Sequence, residues 1–230
     1  LERIQALVEE LKDVTNSIAH DIRSPLTRIR GVAETTLTGQ PSPEEYQDMA
    51  VMVIDECDRL TEMINTMLEI AQTDSGIAQL SRTSLDLVEL VRDAYELFSA
   101  VAEDKNLSFT FDPRDKKIEI FGDRSRLQRA IANIVDNALK YTPHDGSVNI
   151  TVWQDLSHAV LTVSDSGSGI TEQDLPHIFD RFFRSDSSRS TPGNGLGLSL
   201  SQSIIKAHEG EISVTSAPGV GSTFTVLLRK

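Results

Sequence analysis

Cysteine is nearly absent from the 230-residue chain, since Cys57 is the only one. A single thiol excludes an internal disulfide, and because Cys57 lies among apolar residues at helical spacing, we expect a buried thiol in a reducing compartment. Long apolar runs are missing as well, and residues 1–11 are too charged for a signal peptide. These absences predict a soluble stretch of chain, and its start within a helical pattern leaves room for an upstream segment.

Positive charge is also scarce. The 22 Lys and Arg residues are outnumbered by 35 Asp and Glu residues, which gives a formal net charge of −13. This balance argues against a phosphate-driven nucleic-acid binder and against a protein held on anionic lipid by basic residues. Apolar residues make up 39% of the chain, which is enough to build globular cores.

Two stretches in the first third carry apolar residues three and four positions apart. The first stripe comprises Ile4, Leu7, Leu11, Val14, Ile18 and Ile22, and the second runs from Tyr46 to Ala71. Pro41 and Pro43 interrupt the pattern between them, and Ser42 is placed to cap the second helix. Because a lone helical hairpin leaves much of such stripes in water, we predict a homodimer that forms a four-helix bundle.

Beyond residues 73–78 the pattern changes to strands that alternate with helices, so we predict a helical hairpin over 1–75 and a second domain over 76–230. The predicted helices are 85–102 capped by Asp86, 124–140 capped by Asp123, and about 198–208. The predicted strands are 107–111, 118–121, 148–153, 159–163, 211–216 and 222–228. Together they predict an α+β sandwich with helices on one face of a mixed, largely antiparallel sheet.

The helix that Asp123 caps carries three polar side chains on one face. Asn133 and Asn137 are four residues apart, and Lys140 follows three residues later. A neutral amide oxygen can bind Mg²⁺ without repelling a triphosphate, and the lysine supplies a compact positive charge, so the face suits Mg-ATP. From this helix alone, an ordinary exposed polar face explains the pattern equally well.

Two glycine-rich turns add to the pattern. Asp165 ends a strand and is followed by Gly167 and Gly169, so its carboxylate could accept a hydrogen bond from an adenine amino group. An ordinary glycine turn is an equally good interpretation of this motif alone. The run from Gly193 to Gly197 precedes a helix and could hold phosphate on backbone amides. It lacks the Lys-Ser or Lys-Thr pair of a Walker loop, and the hairpin-linked strands disfavour a dinucleotide fold.

Four ordered motifs resemble those of the ATP-binding domains of sensor histidine kinases. They are the runs from Asn133 to Tyr141, Asp165 to Gly169, Ile178 to Arg184 and Gly193 to Leu198. The resemblance implies the histidine-kinase/Hsp90-like ATPase fold and the cofactors ATP and Mg²⁺. It also implies that Asn137 binds the Mg²⁺, that Asn133 and Lys140 reach the phosphates, and that Asp165 binds adenine.

The resemblance implies further contacts to the nucleotide. The additional nucleotide-binding residues are Tyr141, Gly167, Gly169, Gly195, Leu196, Gly197 and Ser222. Ser222 stands near the adenine pocket where the family usually has threonine. The polar stretch 184–194 is expected to form a lid that orders over the nucleotide.

One of the five histidines, His20, lies in an unusual segment, whereas the other four are expected to be solvated or structural. Taken alone, a histidine on a bundle helix is more often an exposed polar residue than a nucleophile. However, the order His20, Asp21, Ser24, Pro25 resembles the phosphoacceptor box of the same family. The resemblance implies that His20 accepts a phosphoryl group and that Asp21 is the general base. Ser24 replaces the usual threonine or asparagine and would support a phosphatase role.

The resemblance therefore implies ATP-dependent autophosphorylation of His20, followed by phosphoryl transfer to an aspartate of a response regulator in two-component signal transduction. It also implies that the chain is the cytoplasmic portion of a protein anchored in the cell membrane through an upstream segment. Two rival functions remain open. One is an ATPase of another class with this nucleotide fold, such as a chaperone or DNA-repair clamp, and the other is a non-enzymatic scaffold.

Overall fold

The computed structural model describes residues 22–39, 41–77, 79–185 and 193–230. By internal contacts the chain divides into two compact units, Leu1–Leu68 and Glu69–Lys230. The domain boundary between residues 75 and 76 stays a prediction, because a division by contacts does not test which part folds alone. Within the described ranges, no helix combines the length and apolarity needed to cross a lipid bilayer.

The first unit contains a helical hairpin. Helix α1 covers residues 22–38, and helix α2 covers Pro43–Asp74 and ends in the second unit. The Oγ of Ser42 accepts a hydrogen bond from the Glu45 amide (3.2 Å), and the Glu45 carboxylate accepts one from the Ser42 amide (2.7 Å). This reciprocal capping box confirms the predicted start of the second helix. The remainder of the first apolar stripe, residues 4–18, lies outside the described residues.

Cys57 corrects one expectation from the sequence. The predicted burial of its thiol is wrong, because Cys57 is exposed on α2 in the single chain. The physical reason is that one hairpin cannot cover the whole circumference of a helix this long, and Ile54, Ile64 and Leu68 are likewise exposed. Periodic apolar positions identified the helix but not which of its faces the same chain covers.

The second unit is built on a five-stranded sheet with the order β2-β4-β5-β7-β6. Strand β2 pairs with β4 in parallel, and the other pairs are antiparallel, which confirms the mixed, largely antiparallel sheet. Strands β1 and β3 form a separate antiparallel pair. The strands are β1 Thr83–Asp86, β2 Ser108–Pro113, β3 Glu119–Gly122, β4 Ser147–Gln154, β5 His158–Asp165, β6 Glu211–Ala217 and β7 Gly221–Arg229.

Three amphipathic helices complete this unit: α3 (Leu87–Asp104), α4 (Arg124–Tyr141) and α5 (Gly197–Ala207). Helix α4 packs against both α3 and α5. The core includes Leu90, Leu127, Ile131, Ile150, Leu161 and Leu200, all nearly inaccessible to solvent. Burial of these apolar side chains leaves only the polar side of α4 available for a ligand.

Two aspartates cap the starts of α3 and α4, as predicted. The Asp86 side chain accepts a hydrogen bond from the Val88 amide, and the Asp123 side chain accepts one from the Arg126 amide. Leu85 is a correction, because the sequence placed it in the helix and the structure pairs it with Ile120 between β1 and β3. The residue before an N-cap lies outside the helix, so its backbone can adopt the extended conformation of a strand.

His208, at the C-terminal end of α5, is buried and links two helices. Its Nδ1 donates to the Ile204 carbonyl (2.8 Å), and its Nε2 accepts a hydrogen bond from the Asp123 amide (2.9 Å). Burial lowers the pKa of His208, and the nearby Arg82 and Arg126 add to this while the Ile204 carbonyl and Asp123 oppose it. The imidazole is therefore held neutral in a fixed tautomer.

We expect His208 to make the fold less stable in acid. Because its pKa is lower in the folded chain, the unfolded chain binds the extra proton, so the unfolding free energy falls as the pH drops below the ordinary histidine pKa. His208→Gln should lower stability at neutral pH by about 1–3 kcal/mol and should reduce this fall between about pH 7 and pH 5. Urea unfolding at several pH values measures both effects, and an unchanged pH dependence would contradict the lowered pKa of His208.

Candidate functional site

The polar face of α4 carries three of the predicted ligands. Asn133, Asn137 and Lys140 are all half-buried, whereas Ile134 and Ala138 on the opposite face are buried in the core. The Nδ2 of Asn133 donates a hydrogen bond to the carbonyl of Gly197 (3.2 Å), the first residue of α5. This contact places the polar face of α4 beside the N-terminus of α5.

Lys140 stands beside the glycine run that precedes α5. A Cβ built on Gly193 would lie 2.6 Å from the Lys140 Nζ, which shows how closely the ammonium approaches this backbone. The ammonium also lies 5.5 Å from the centre of the Tyr141 ring. Burial lowers the pKa of Lys140, and although Asp136 opposes this effect, the positive charge of Arg184 adds to it. A partly desolvated ammonium of this kind binds an anion strongly.

Asp165 ends β5, and its two carboxylate oxygens differ in their hydrogen bonding. Its Oδ1 accepts hydrogen bonds from the amides of Gly167 (2.8 Å) and Ser222 (3.2 Å). Within the described part of the chain, no donor reaches its Oδ2. Burial raises the pKa of Asp165, and the two amide hydrogen bonds only partly offset the rise. The free oxygen is therefore a fixed hydrogen-bond acceptor.

The two glycines after Asp165 allow the turn to pack closely. A Cβ built on Gly169, whose φ is 67°, would lie 2.0 Å from the Ala217 carbonyl oxygen, and one on Gly167 would lie 2.6 Å from that of Tyr141. The Ser168 amide donates a hydrogen bond to the Tyr141 carbonyl (3.3 Å). The Asp165 turn is thus attached to the C-terminal end of α4, which bears Lys140 and Tyr141.

The N-terminus of α5 offers backbone donors. Leu196 is its N-cap residue, is fully buried and makes no capping hydrogen bond with its side chain. The Gly195 carbonyl accepts a hydrogen bond from the Phe182 amide (3.0 Å), and both residues have a left-handed backbone. The first-turn amides of α5, beginning with Gly197, therefore have no side-chain cap, and amides of this kind can bind an anion.

Ser222 contributes chiefly through its backbone. Its amide holds the Asp165 carboxylate, while its Oγ lies 3.0 Å from the Oγ of Ser216. Ser216 in turn donates to the Gly221 carbonyl (2.8 Å). The buried Ser222 residue thus joins two neighbouring strands, β6 and β7, beside Asp165.

The predicted phosphoacceptor residues His20 and Asp21 lie outside the described residues. Ser24 is exposed on α1, and its Oγ accepts a hydrogen bond from Arg28 (2.9 Å). Both oxygens of Glu56 on α2 hold the Arg28 guanidinium, at 2.9 and 3.0 Å. The hydrogen bond from Arg28 lowers the pKa of Glu56. The Ser24 hydroxyl can still donate its own proton.

Several residues around these sites were not predicted from the sequence. A Cβ on Gly221, whose φ is 123°, would lie 1.9 Å from the Asp165 carbonyl oxygen, and a glycine that starts a strand could have indicated this close approach. Arg28 follows Ser24 by four residues, a spacing that could have indicated their pairing.

The predicted lid over residues 184–194 is described only at its two ends. Arg184 donates to the Gly193 carbonyl (2.8 Å), whereas residues 186–192 lie outside the described residues.

Two family models match the chain. The His Kinase A (phospho-acceptor) domain matches residues 10–76, and the histidine kinase-, DNA gyrase B- and HSP90-like ATPase matches residues 122–230. The catalytic domain of the histidine kinase ThkA is 30% identical, with a TM-score of 0.59, over 65% of this chain and 98% of that domain. The chain belongs to the sensor histidine kinases of bacterial two-component systems.

Longer relatives of this sensor histidine kinase extend the comparison. The sensor histidine kinase CusS of Escherichia coli (strain K12) is 33% identical over 231 residues, which cover 99% of this chain and 47% of CusS. The structure of ThkA in complex with the response regulator protein TrrA is 27% identical, with a TM-score of 0.78, over 98% of this chain and 64% of that one. The chain thus spans about half the length of the curated relatives it matches.

Proposed function

We propose that the chain binds Mg-ATP and transfers its γ-phosphoryl group to His20, which then passes it to an aspartate of a response regulator. The observation that carries this proposal is the convergence of three groups of the second unit. The groups are the free acceptor oxygen of Asp165, the polar face of α4 around Lys140, and the N-terminus of α5, which has no side-chain cap. Direct contacts join the turn after Asp165 to the end of α4, and the polar face of α4 to the start of α5. These groups have the chemistry that an adenine, a divalent cation and a triphosphate require.

Each residue has a role in this proposal. The free oxygen of Asp165 accepts a hydrogen bond from the adenine amino group, and the Gly167–Gly169 turn lets the base approach the backbone. The phosphates are bound by Lys140, Asn133 and the amides of Gly195 and Gly197, whereas the Leu196 amide donates to the Asn194 side chain. Tyr141 and Ser222 complete the walls of the site. The family implies Mg²⁺, which in bound form neutralises phosphate charge, and the side-chain oxygen of Asn137 would hold it.

The amide of Asn137 fits such an ion when phosphate oxygens supply further ligands. Among the described residues, no group of three or more His, Cys, Asp or Glu side chains is arranged to hold a metal ion. A neutral amide also adds no negative charge beside a triphosphate. The donor set therefore fits an ion that arrives with the nucleotide rather than one held permanently by carboxylates.

The transfer is an in-line displacement. The Nε2 of His20 attacks the γ-phosphorus and forms a bond to it. The bond between the γ-phosphorus and the bridging oxygen breaks, and ADP leaves with that oxygen and the electron pair. Asp21 orients the imidazole and accepts the proton from its other nitrogen. The carboxylate of the response regulator then attacks the phosphohistidine in the same way, and the histidine is regenerated.

The exposed apolar side chains of α2 support a homodimer. Met52 and Ile54 are exposed, and the groove between α1 and α2 is lined by Ile29, Val32 and Val53. Packing against a second hairpin would bury these groups in a four-helix bundle. A single-chain mass in analytical ultracentrifugation at micromolar concentration would contradict this arrangement.

Other parts of the proposal concern the whole protein. We infer that a segment outside this chain anchors the protein in the cell membrane and that the chain lies on the cytoplasmic side. The response regulator would dock on the helices near His20, within a hairpin domain over 1–75 that is separate from the nucleotide domain over 76–230. If Ser24 supports a phosphatase reaction, Ser24→Ala should slow dephosphorylation of the regulator, and an unchanged rate would remove that role.

Incubation with γ-labelled ATP and magnesium distinguishes this proposal from its rivals. We expect label on the chain that is labile in acid, stable in base and lost in His20→Ala. Release of free phosphate without labelled chain would favour an ATPase of another class. ATP binding with neither labelled chain nor free phosphate would favour a non-enzymatic scaffold.

A further inference from the structure

The C-terminal end of α4 is held by a lysine from another helix. Lys105 is the C-cap residue of α3 and is half-buried. Its Nζ lies 2.7 Å from the carbonyl oxygen of Leu139 and 3.3 Å from those of Lys140 and Thr142. One ammonium group thus donates to three carbonyls in the last turn of α4.

This ammonium completes the hydrogen bonding of the whole helix end. The last carbonyls of a helix have no partner within the helix, and a cation there also interacts favourably with the helix dipole. The Ala138 carbonyl accepts from the amide of Thr142, at 3.2 Å, and also from its hydroxyl. The Tyr141 carbonyl accepts from the Ser168 amide (3.3 Å). Of the five consecutive carbonyls from Ala138 to Thr142, three therefore depend on Lys105, namely those of Leu139, Lys140 and Thr142.

The same turn carries Lys140, one of the groups proposed to bind phosphate. The Lys140 side chain stands beside Gly193, while its carbonyl is one of those that Lys105 holds. Lys105 itself has no contact with Asp165, Asn137 or α5 among the described contacts. Its effect on a nucleotide would therefore be exerted through the backbone that sets the position of Lys140.

We propose that Lys105 is a positioning residue for the phosphate end of the nucleotide site. This role rests on the proposed function, since it assumes that Lys140 binds the phosphates. Loss of the ammonium leaves three carbonyls without their donor, and the last turn of α4 can then relax away from the helical path. The adenine end should be affected much less, because the amides of Gly167 and Ser222 hold the Asp165 carboxylate directly. The Ser168 amide of that turn does bond to the end of α4, but at the Tyr141 carbonyl, which Lys105 does not hold.

The test compares two ligands in the variants Lys105→Met and Lys105→Arg. Lys105→Met retains the length and apolar stem of the side chain but lacks its charge and donors. We expect it to weaken the binding of AMP-PNP with magnesium roughly ten-fold, while adenosine affinity changes less than about two-fold. Lys105→Arg should recover most of the loss, because its guanidinium can donate to several carbonyls. Titration calorimetry gives both affinities, and thermal unfolding reports the stability of each variant.

Lys116→Met is the matched control, since Lys116 is exposed and has no hydrogen bond among the described contacts. It should leave both affinities unchanged. Equal AMP-PNP affinity before and after Lys105→Met, or an equal loss for AMP-PNP and adenosine that follows the loss of stability, would overturn the positioning role alone. Failure of the unaltered chain to bind AMP-PNP would overturn the proposed function, and this role with it.

Discussion

Asp165→Asn should weaken ATP binding roughly a hundred- to a thousand-fold without unfolding the chain. The two side chains have nearly the same shape, so the turn after β5 can keep its conformation. The amides of Gly167 and Ser222 both donate to the inner oxygen of Asp165. They would hold the asparagine oxygen in that place and direct its NH₂ group outward, where it opposes the adenine amino group.

The orientation of this amide makes the prediction specific. Inosine triphosphate carries a carbonyl where ATP carries the amino group, so its oxygen could accept from the outward NH₂ group. We therefore expect Asp165→Asn to lose affinity for ATP but not for inosine triphosphate, measured by calorimetry with non-hydrolysable analogues. An equal loss for both nucleotides would mean that Asp165 does not contact that position of the base.

The same substitution has a pH-dependent effect on stability. Because burial raises the pKa of Asp165, the folded chain binds this proton more tightly than the unfolded chain does. The carboxyl's contribution to the unfolding free energy is therefore present at low pH and is lost as the pH rises through the raised folded pKa. As the pH rises above about 4, the ordinary aspartate pKa, the stability of Asp165→Asn should therefore increase relative to that of the unaltered chain. Urea unfolding at these pH values checks the sign.

Asn137→Ala should slow phosphoryl transfer roughly a hundred- to a thousand-fold, because it removes the proposed protein ligand of Mg²⁺. The change should not weaken α4, since alanine favours helices more than asparagine does. Adenosine affinity should stay the same, because adenosine has no phosphates and needs no cation. Rates of label transfer from γ-labelled ATP, measured over a range of magnesium concentrations, provide the check.

Asn149→Ala supplies the control for this substitution. Asn149 is exposed on β4, where its side chain bonds only to the hydroxyls of Thr110 and Thr151 among the described contacts. The same chemical change at this position should leave transfer unaffected. If Asn137→Ala transferred phosphate as fast as Asn149→Ala does, Asn137 would not be the magnesium ligand.

Local patterns explain why much of the nucleotide domain could be predicted. The caps Asp86 and Asp123 act on amides two and three residues away, and the face shared by Asn133 and Lys140 follows from helical spacing. The exposure of Cys57 was mispredicted because it depends on which surfaces meet. Lys105 was also missed, since its three carbonyl partners lie more than thirty residues away. Such distant contacts leave no periodic signal in the sequence.

The residue that carries the transferred phosphate shows whether the chain phosphorylates His20 through the proposed nucleotide site. The unaltered chain and Asp165→Asn would be incubated with Mg-ATP, digested at neutral pH to preserve phosphohistidine, and analysed by tandem mass spectrometry. We expect phosphate on His20 in the unaltered chain and little or none after Asp165→Asn. Phosphate on a different residue, or equal phosphorylation of His20 in both chains, would contradict it.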